Sequence, residues 1–457
     1  MSELFDPTLL GRRTLRIGVT GLARSGKTAF LTSVAANLLA RGAGFPSLPA
    51  LAGNGLHVSL APAGAESLPR FDTEANLAAL AADPPHWPAR TSAVSLLALD
   101  VTVPRRGLAQ AFPPRRLRLE FLDYPGEWLL DLPLLNESFS AWSAGTLRRM
   151  EQQAEDIGRE FLAFVRGLPA RTPADESLAA AGHRLFRAAL IRMRDQRGLS
   201  FLQPGRFLMP APGPEPPWMV FFPMNGSGGL ATLLHNRFDA YREAVARDLT
   251  SPLFGRVDRL VVLADVLSAL HAGPEAFADM AEALGAAAAA LRWRQSWIDS
   301  IPVLRDLLLP DWMTPDWLLP AGIRRVAFAA TKADHVADRQ RGNLAALMRN
   351  LVGLPERGAS ATTVAFAIAS VRCTEDFVWT LEGRNISAVR GRVLGEERMT
   401  RSYPGEVPDR PPDPAFWTHA FLALPEFEPR QLPANGRAGV PMIGLDGLLA
   451  FLLEDVL

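Results

Sequence analysis

Along RRLRLEFLD (115–123) apolar and polar side chains alternate, with Leu117, Leu119 and Phe121 on one face and Arg116, Arg118 and Glu120 on the other. A period of two predicts a strand. Shorter apolar runs ending in turn residues predict further strands at 14–21, 93–103, 257–266, 323–331 and 361–370. Elsewhere the period changes to that of a helix. Phe30, Leu31, Val34, Leu38 and Leu39 recur at helical spacing within 27–42, and Gly42 is placed to end that helix. The same pattern predicts helices at 71–82, 143–168, 177–198, 233–249, 274–294, 337–353 and 444–457. The rest of 43–90 carries Pro46, Pro49, Pro62, Pro69, Pro84, Pro85 and Pro88 and reads as loop. PAPGPEPP (210–217) is a joint between helices, and the Pro-rich stretch 400–440 is expected to wrap the surface.

Strands alternating with helices predict an α/β fold with an open sheet. A helical block interrupts it. The expected division is 11–129 and 251–457 as two parts of one α/β domain, with 130–250 as a helical insertion.

The 457 residues are enough for two or three average domains, and 48% of them are apolar, ample for a core. Acidic and basic residues balance at 48 each, which removes the electrostatic argument for a nucleic-acid binder. Cys373 is the single cysteine, so neither an internal disulfide nor a thiolate metal cluster is expected. The histidines show no metal-ligand spacing. The N-terminus lacks the pattern of a secretion signal, and no apolar run reaches the ~20 residues of a membrane helix. A soluble, cytoplasmic protein is expected.

Only two of the 48 basic residues are lysine. Each marks a motif. Lys27 lies in Gly21-Leu22-Ala23-Arg24-Ser25-Gly26-Lys27-Thr28, which fits G-x-x-x-x-G-K-[ST] between a predicted strand and a predicted helix. Such a loop points backbone N–H groups at phosphate oxygens, and the following helix adds its N-terminal dipole. Lys27 would set a compact ammonium between the β- and γ-phosphates, where the wide fork of an arginine does not fit. Thr28 would offer a hydroxyl to Mg²⁺. The expected nucleotide contacts here are Gly21, Ala23, Arg24, Ser25, Gly26, Lys27, Thr28 and Ala29. Arg24 reads equally as a nucleotide contact, a partner to a facing carboxylate, or a solvent-exposed residue.

Lys332 lies in Thr331-Lys332-Ala333-Asp334, after a predicted strand. This resembles the guanine-reading [NT]KxD element. Asp334 would accept from guanine N1–H and N2–H₂, a donor pair that adenine lacks. The stem of Lys332 would lie over the base plane. Ser370, Val371 and Arg372 follow the last predicted strand and resemble the loop that backs guanine.

Asp123-Tyr124-Pro125-Gly126 closes the strand 115–123 and matches D-x-x-G. Asp123 would hold Mg²⁺ through water, and the Gly126 N–H would contact the γ-phosphate. Glu127 follows where a glutamine commonly orients water. Its carboxylate could polarise water yet repels the γ-phosphate, so its role stays open. Thr91 is the first candidate for the first-switch Mg²⁺ ligand, with Ser92 and Thr73 as alternatives. Asp265, ending VVLAD, reads as a strand-end residue rather than as a second metal-binding acid. Trp293, Trp297, Trp312 and Trp317 read as core or interface anchors.

GLARSGKTAFLTSVAANLL, LEFLDYPGEWLLDLPLL, VVLADVLSAL and AATKADHV together resemble the YcjX-like family of bacterial P-loop proteins, from about residue 11 to the closing GLDGLLAFLLEDVL. The resemblance implies a P-loop NTPase of Ras-like G-domain fold with an open mixed sheet and a large helical insertion. It further implies a GTP-binding protein with GTP or GDP and Mg²⁺ as ligands, a role in bacterial stress, and a gene beside that of a membrane protein, hence a peripheral location at the inner membrane through that partner. By motif, Lys27, Thr28, Asp123, Gly126 and Glu127 would carry hydrolysis. Without a water-positioning glutamine, turnover is expected to be slow. A nucleotide-gated scaffold without hydrolysis, and an ATP-dependent ATPase or kinase with TKAD incidental, are the alternatives.

Overall fold

The structure is a computed structural model. It describes residues 13–40, 56–62, 68–89, 94–105, 113–209, 213–250, 257–299, 323–354, 363–381, 383–396, 398–418, 424–432 and 439–456. The chain divides into two compact units. One comprises Met1–Tyr124, Arg256–His271 and Trp293–Leu457, and the other Pro125–Gly255 and Ala272–Arg292. The helical unit thus takes in Ala272–Arg292, which the sequence reading groups with the last part of the chain.

The first unit begins with β1 (Arg13–Gly21), α1 (Lys27–Leu39), β2 (His57–Leu60), α2 (Thr73–Ala81), β3 (Ser95–Val103) and β4 (Arg115–Asp123). The helical unit follows with α3 (Phe139–Gln153), α4 (Glu155–Gly167), α5 (Glu176–Arg197), α6 (Gly205–Leu208) and α7 (Gly229–Thr250). The chain then forms β5 (Arg259–Ala264), α8 (Val266–Ala272), α9 (Pro274–Asp299), β6 (Arg325–Ala330), α10 (Asp338–Leu351) and β7 (Thr363–Ala367). It ends with β8 (Glu375–Leu381), β9 (Arg384–Arg392), β10 (Met399–Ser402) and α11 (Leu445–Leu453).

Seven strands form one sheet in the order β2-β3-β4-β1-β5-β6-β7. β2, β3 and β4 pair antiparallel, and β4, β1, β5, β6 and β7 run parallel. This is the expected α/β P-loop fold, a Ras-like G domain with a mixed open sheet, interrupted by a large helical insertion. Strands buried on both faces lose alternation and read as continuous apolar runs. β5, RLVVLA, is buried throughout. Even β4 departs from its sequence pattern, because Glu120 on its polar face is buried and ion-paired with Arg16 (2.6 Å) and Arg118 (2.8 Å).

Some elements differ from their sequence pattern. β2 lies in the stretch read as loop, and α8 and the separate antiparallel sheet β10-β9-β8 are not among the predicted elements. The single helix predicted over 143–168 is two. Ala154 breaks it with φ −155° and ψ 40°, and Gly158 then passes so close to Met150 that a Cβ would lie 2.5 Å from its side chain. In the helical unit the core is aromatic: Trp142 stacks on Phe238 (5.0 Å) and meets Phe221 edge-on (5.5 Å).

Candidate nucleotide-binding site

β1 lies between β4 and β5. The connection after β1 leads toward one half of the sheet and the connection after β5 toward the other. The carboxyl ends of these strands are the place where open α/β sheets bind ligands. The loop Gly21–Gly26 starts there. The Leu22 N–H donates to the Leu263 carbonyl (3.1 Å), which ties the loop to the end of β5. A Cβ on Gly21 would lie 2.4 Å from that same carbonyl oxygen and 2.6 Å from Ser25 Oγ, so no side chain fits. Gly26 has open space around it but φ +82°, and its carbonyl accepts the first helical bond from Phe30 N–H (2.9 Å). Ala23 and Arg24 are exposed, and Lys27, Thr28 and Ala29 are half-buried.

Two polar side chains of the loop differ in how they are satisfied. Ser25 is 2% exposed, and its Oγ finds no hydrogen-bond partner among the described residues. Lys27 Nζ donates to the Gly21 carbonyl at 3.3 Å, so the ammonium bends back across the loop.

Asp123 ends β4 in register with Val19 of β1 and Ser95 of β3, and is 1% exposed. The next residue is locked as well, since the Tyr124 N–H donates to the Val19 carbonyl (2.8 Å). Burial pushes the Tyr124 phenol well above its usual pKa, so it stays neutral. Gly126 and Glu127 open a 3₁₀ turn, Gly126–Asp131, in the helical unit, with Gly126 buried and Glu127 half-buried. Thr91 and Ser92 lie outside the described residues. Thr73 is buried at the start of α2.

The TKAD segment follows β6. Thr331 leans on β5, its N–H and Oγ1 both donating to the Ala264 carbonyl (2.9 and 3.3 Å). Lys332 has φ +58°, and its Nζ lies 2.6 Å from Asp265 Oδ2. Arg24 and Lys332 are the two non-glycine residues with positive φ among the described residues, one in each motif. Asp334 is buried, its Oδ2 accepting from the Cys373 N–H (2.7 Å) and its carbonyl from the Thr374 hydroxyl. Burial also lowers the His335 pKa, keeping the neighbouring imidazole neutral, and raises that of the Cys373 thiol.

After β7, Ala369 and Ile443 exchange backbone hydrogen bonds (both 2.9 Å), and the Arg372 N–H donates to the Pro441 carbonyl (2.7 Å). The Arg372 guanidinium is held by Asp376 (2.8 Å) and the Thr374 carbonyl (3.0 Å). Ser370 is half-buried and Val371 buried. The strap 439–443 also reaches α1. Asn37 Nδ2 donates to the Val440 carbonyl (3.1 Å), and the Val440 N–H donates back to Asn37 Oδ1 (3.0 Å). One short segment therefore joins the helix after the glycine loop to the segment after β7.

Within the first unit, the fold brings the glycine loop, Asp123, TKAD and residues 370–372 to the carboxyl ends of the parallel strands. Sequence reasoning missed Asp265 as the partner of Lys332, the Cys373 amide beneath Asp334, and Asn37. Asp265 had a signal, an acid ending a buried strand. A backbone amide and a buried asparagine carry none.

The profile of the YcjX-like family, DUF463, matches residues 15–457. A protein of Escherichia coli K12 named "Ras-like GTPase YcjX" is 34% identical, the alignment covering 97% of this chain and 96% of that protein. A protein of the same name from Shewanella oneidensis is 30% identical, covering 97% and 95%. The fold, the order of its motifs and similarity over nearly the full length agree: the chain belongs to the YcjX-like family.

Proposed function

We propose that this chain binds GTP and GDP and hydrolyses GTP slowly with Mg²⁺, acting as a nucleotide-controlled switch. The observation that carries the reading is the placement of the glycine loop, buried Asp123 and buried Asp334 at the carboxyl ends of β1, β4 and β6, parallel strands of one sheet. Two relatives that carry the name Ras-like GTPase support it. Their family resemblance also motivates a setting in a bacterial stress response, with a membrane protein as partner.

The residues fit the ligands. The Gly21 cradle leaves room only for backbone, and Ser25 Oγ is a buried polar atom awaiting a partner. Thr28 and Asp123 are oxygen donors suited to a hard cation. A bound Mg²⁺ would neutralise charge on the β- and γ-phosphate oxygens. Lys27 would exchange its bond to the Gly21 carbonyl for phosphate oxygen. Asp334 would accept from guanine N1–H and N2–H₂ while the Cys373 amide holds the carboxylate in place. Val371 would offer its N–H to the base, since the Arg372 N–H is engaged by Pro441. With Glu127 where a glutamine commonly orients water, slow turnover is expected in this scheme. By its D-x-x-G motif, Gly126 would be the γ-phosphate sensor in this scheme.

Equilibrium binding of labelled GDP, competed with GTP, GDP and ATP, tests the reading. Competition by guanine nucleotides alone, lost in Lys27→Ala, is expected. Competition by ATP would favour an ATPase or kinase. Single-turnover phosphate release then decides between a GTPase and a scaffold without hydrolysis.

A further inference from the structure

We infer that Asp265, braced by Ser268, is a positioning residue for guanine recognition, holding the Lys332 ammonium so that the lysine stem forms a fixed platform for the base. The inference rests on the guanine-nucleotide reading above and extends it to two residues outside its motifs.

The carboxylate is fixed before Lys332 reaches it. Asp265 stands between the end of β5 and the start of α8, where it caps the helix. Its Oδ1 accepts from the Ser268 N–H (3.0 Å), and its Oδ2 accepts from the Ser268 hydroxyl (2.6 Å). The Asp265 side chain is 6% exposed, whereas that of Lys332 is 34% exposed. The carboxylate cannot follow the lysine into water, so the lysine comes to it. Nζ lies 2.6 Å from Asp265 Oδ2 and 3.4 Å from Ser268 Oγ.

With the backbone set at φ +58° and the ammonium pinned, the four-carbon stem is tethered at both ends. A free lysine would lose rotamer freedom when a base lay on it, and this one has already lost it. The pair also neutralises a buried carboxylate that would otherwise stand uncompensated near a polyanionic ligand. The arrangement accounts for lysine here in a chain whose other basic residues outside the phosphate loop are all arginine. One carboxylate oxygen and one hydroxyl converge on a point, which suits a compact ammonium and not a planar fork.

The opposite role, a latch that must open before nucleotide enters, predicts the opposite sign. The test is binding of fluorescent GDP with Mg²⁺, and competition by unlabelled IDP, which lacks the 2-amino group read by Asp334. The proteins are wild type, Asp265→Asn, Ser268→Ala, Lys332→Arg, Lys332→Ala and Asp265→Asn/Lys332→Ala. Asp265→Asn is expected to weaken GDP and IDP alike, by about tenfold, leaving their ratio unchanged. Ser268→Ala keeps both charges and is expected to weaken both by a smaller factor. Lys332→Arg is expected to lose affinity as Asp265→Asn does. In the Lys332→Ala background, Asp265→Asn is expected to have no further effect. Unchanged or tighter GDP binding by both Asp265→Asn and Ser268→Ala overturns the inference. So does an equal loss with and without Lys332, which would mean that Asp265 acts only through α8. Wild-type protein that binds no GDP overturns the guanine reading itself, and this inference with it.

Discussion

Single residues in this site are chosen by space and by backbone shape, and the two causes separate at Gly21 and Gly26. At Gly21 the obstacle is the Leu263 carbonyl, 2.4 Å from where a Cβ would stand. A backbone atom in a central strand cannot yield. At Gly26 there is room, and the cost is φ +82° alone. Gly21→Ala is therefore expected to destabilise the nucleotide-free protein by about 3 kcal/mol and Gly26→Ala by only about 1 kcal/mol. Equilibrium urea unfolding of the two variants checks the order, and the reverse order would place the strain in the wrong glycine. Arg24 and Lys332 show the same economy differently. Each holds a backbone conformation that glycine would adopt freely, at some cost in strain. Lys332 in that conformation contacts Asp265.

Among elements, the 3₁₀ turn Gly126–Asp131 shows how a segment after a strand is tied into its unit. Gln203 Nε2 donates to the Leu130 carbonyl (2.6 Å), and Trp128 Nε1 to the Met209 carbonyl (3.0 Å). Asp131 ends the turn fully buried, accepting from the Gly205 N–H (2.7 Å) and the Tyr241 hydroxyl (2.6 Å). Burial raises its pKa from 3.8 to about 6, against the opposing pull of Tyr241, Arg206 and the Gly205 amide. A carboxyl with a raised pKa binds its proton more tightly when folded. Its contribution to stability is therefore complete below 3.8 and lost as pH rises through about 6. Asp131→Asn is expected to flatten the pH dependence of stability across that window by on the order of 3 kcal/mol. Denaturant unfolding at a series of pH values measures it, and a slope equal to that of the wild type would remove Asp131 as its cause.

At the scale of the molecule, distant parts of the chain close the first unit. Leu445, Leu448, Leu449, Leu452 and Leu453 of α11 join the core formed by β1, β3, β4 and α1. Arg259, 1% exposed, donates to Asp455 Oδ2 (2.5 Å) and to the Leu452 carbonyl (3.3 Å). Asp455 itself is one-third exposed, so water softens the loss. Asp455→Ala is expected to cost about 1–3 kcal/mol, read as a lower thermal midpoint, while Asp455→Asn, which can still accept from the buried guanidinium, costs less. Equal losses would show that charge, not the hydrogen bond, holds α11. Motif order, the apolar central strands and the P-loop fold class were legible in the sequence, because strand–loop–helix context and rare lysines are local signals. Glycines at 21 and 26, the lysine at 27 and the acid at 334 each carry their chemistry in their residue type. The pairing of Lys332 with Asp265, the Cys373 amide under Asp334 and the strap from Asn37 to Val440 were not legible. They join residues 67, 39 and 403 positions apart, numbers that only the order of strands in the sheet brings together. The sequence by itself determined which residue types stand in the glycine loop and in TKAD, the groups proposed to bind phosphate and read a base. The tertiary structure decided which buried partners hold them, because hydrogen bonding and desolvation depend on neighbours in space and not on neighbours in the chain.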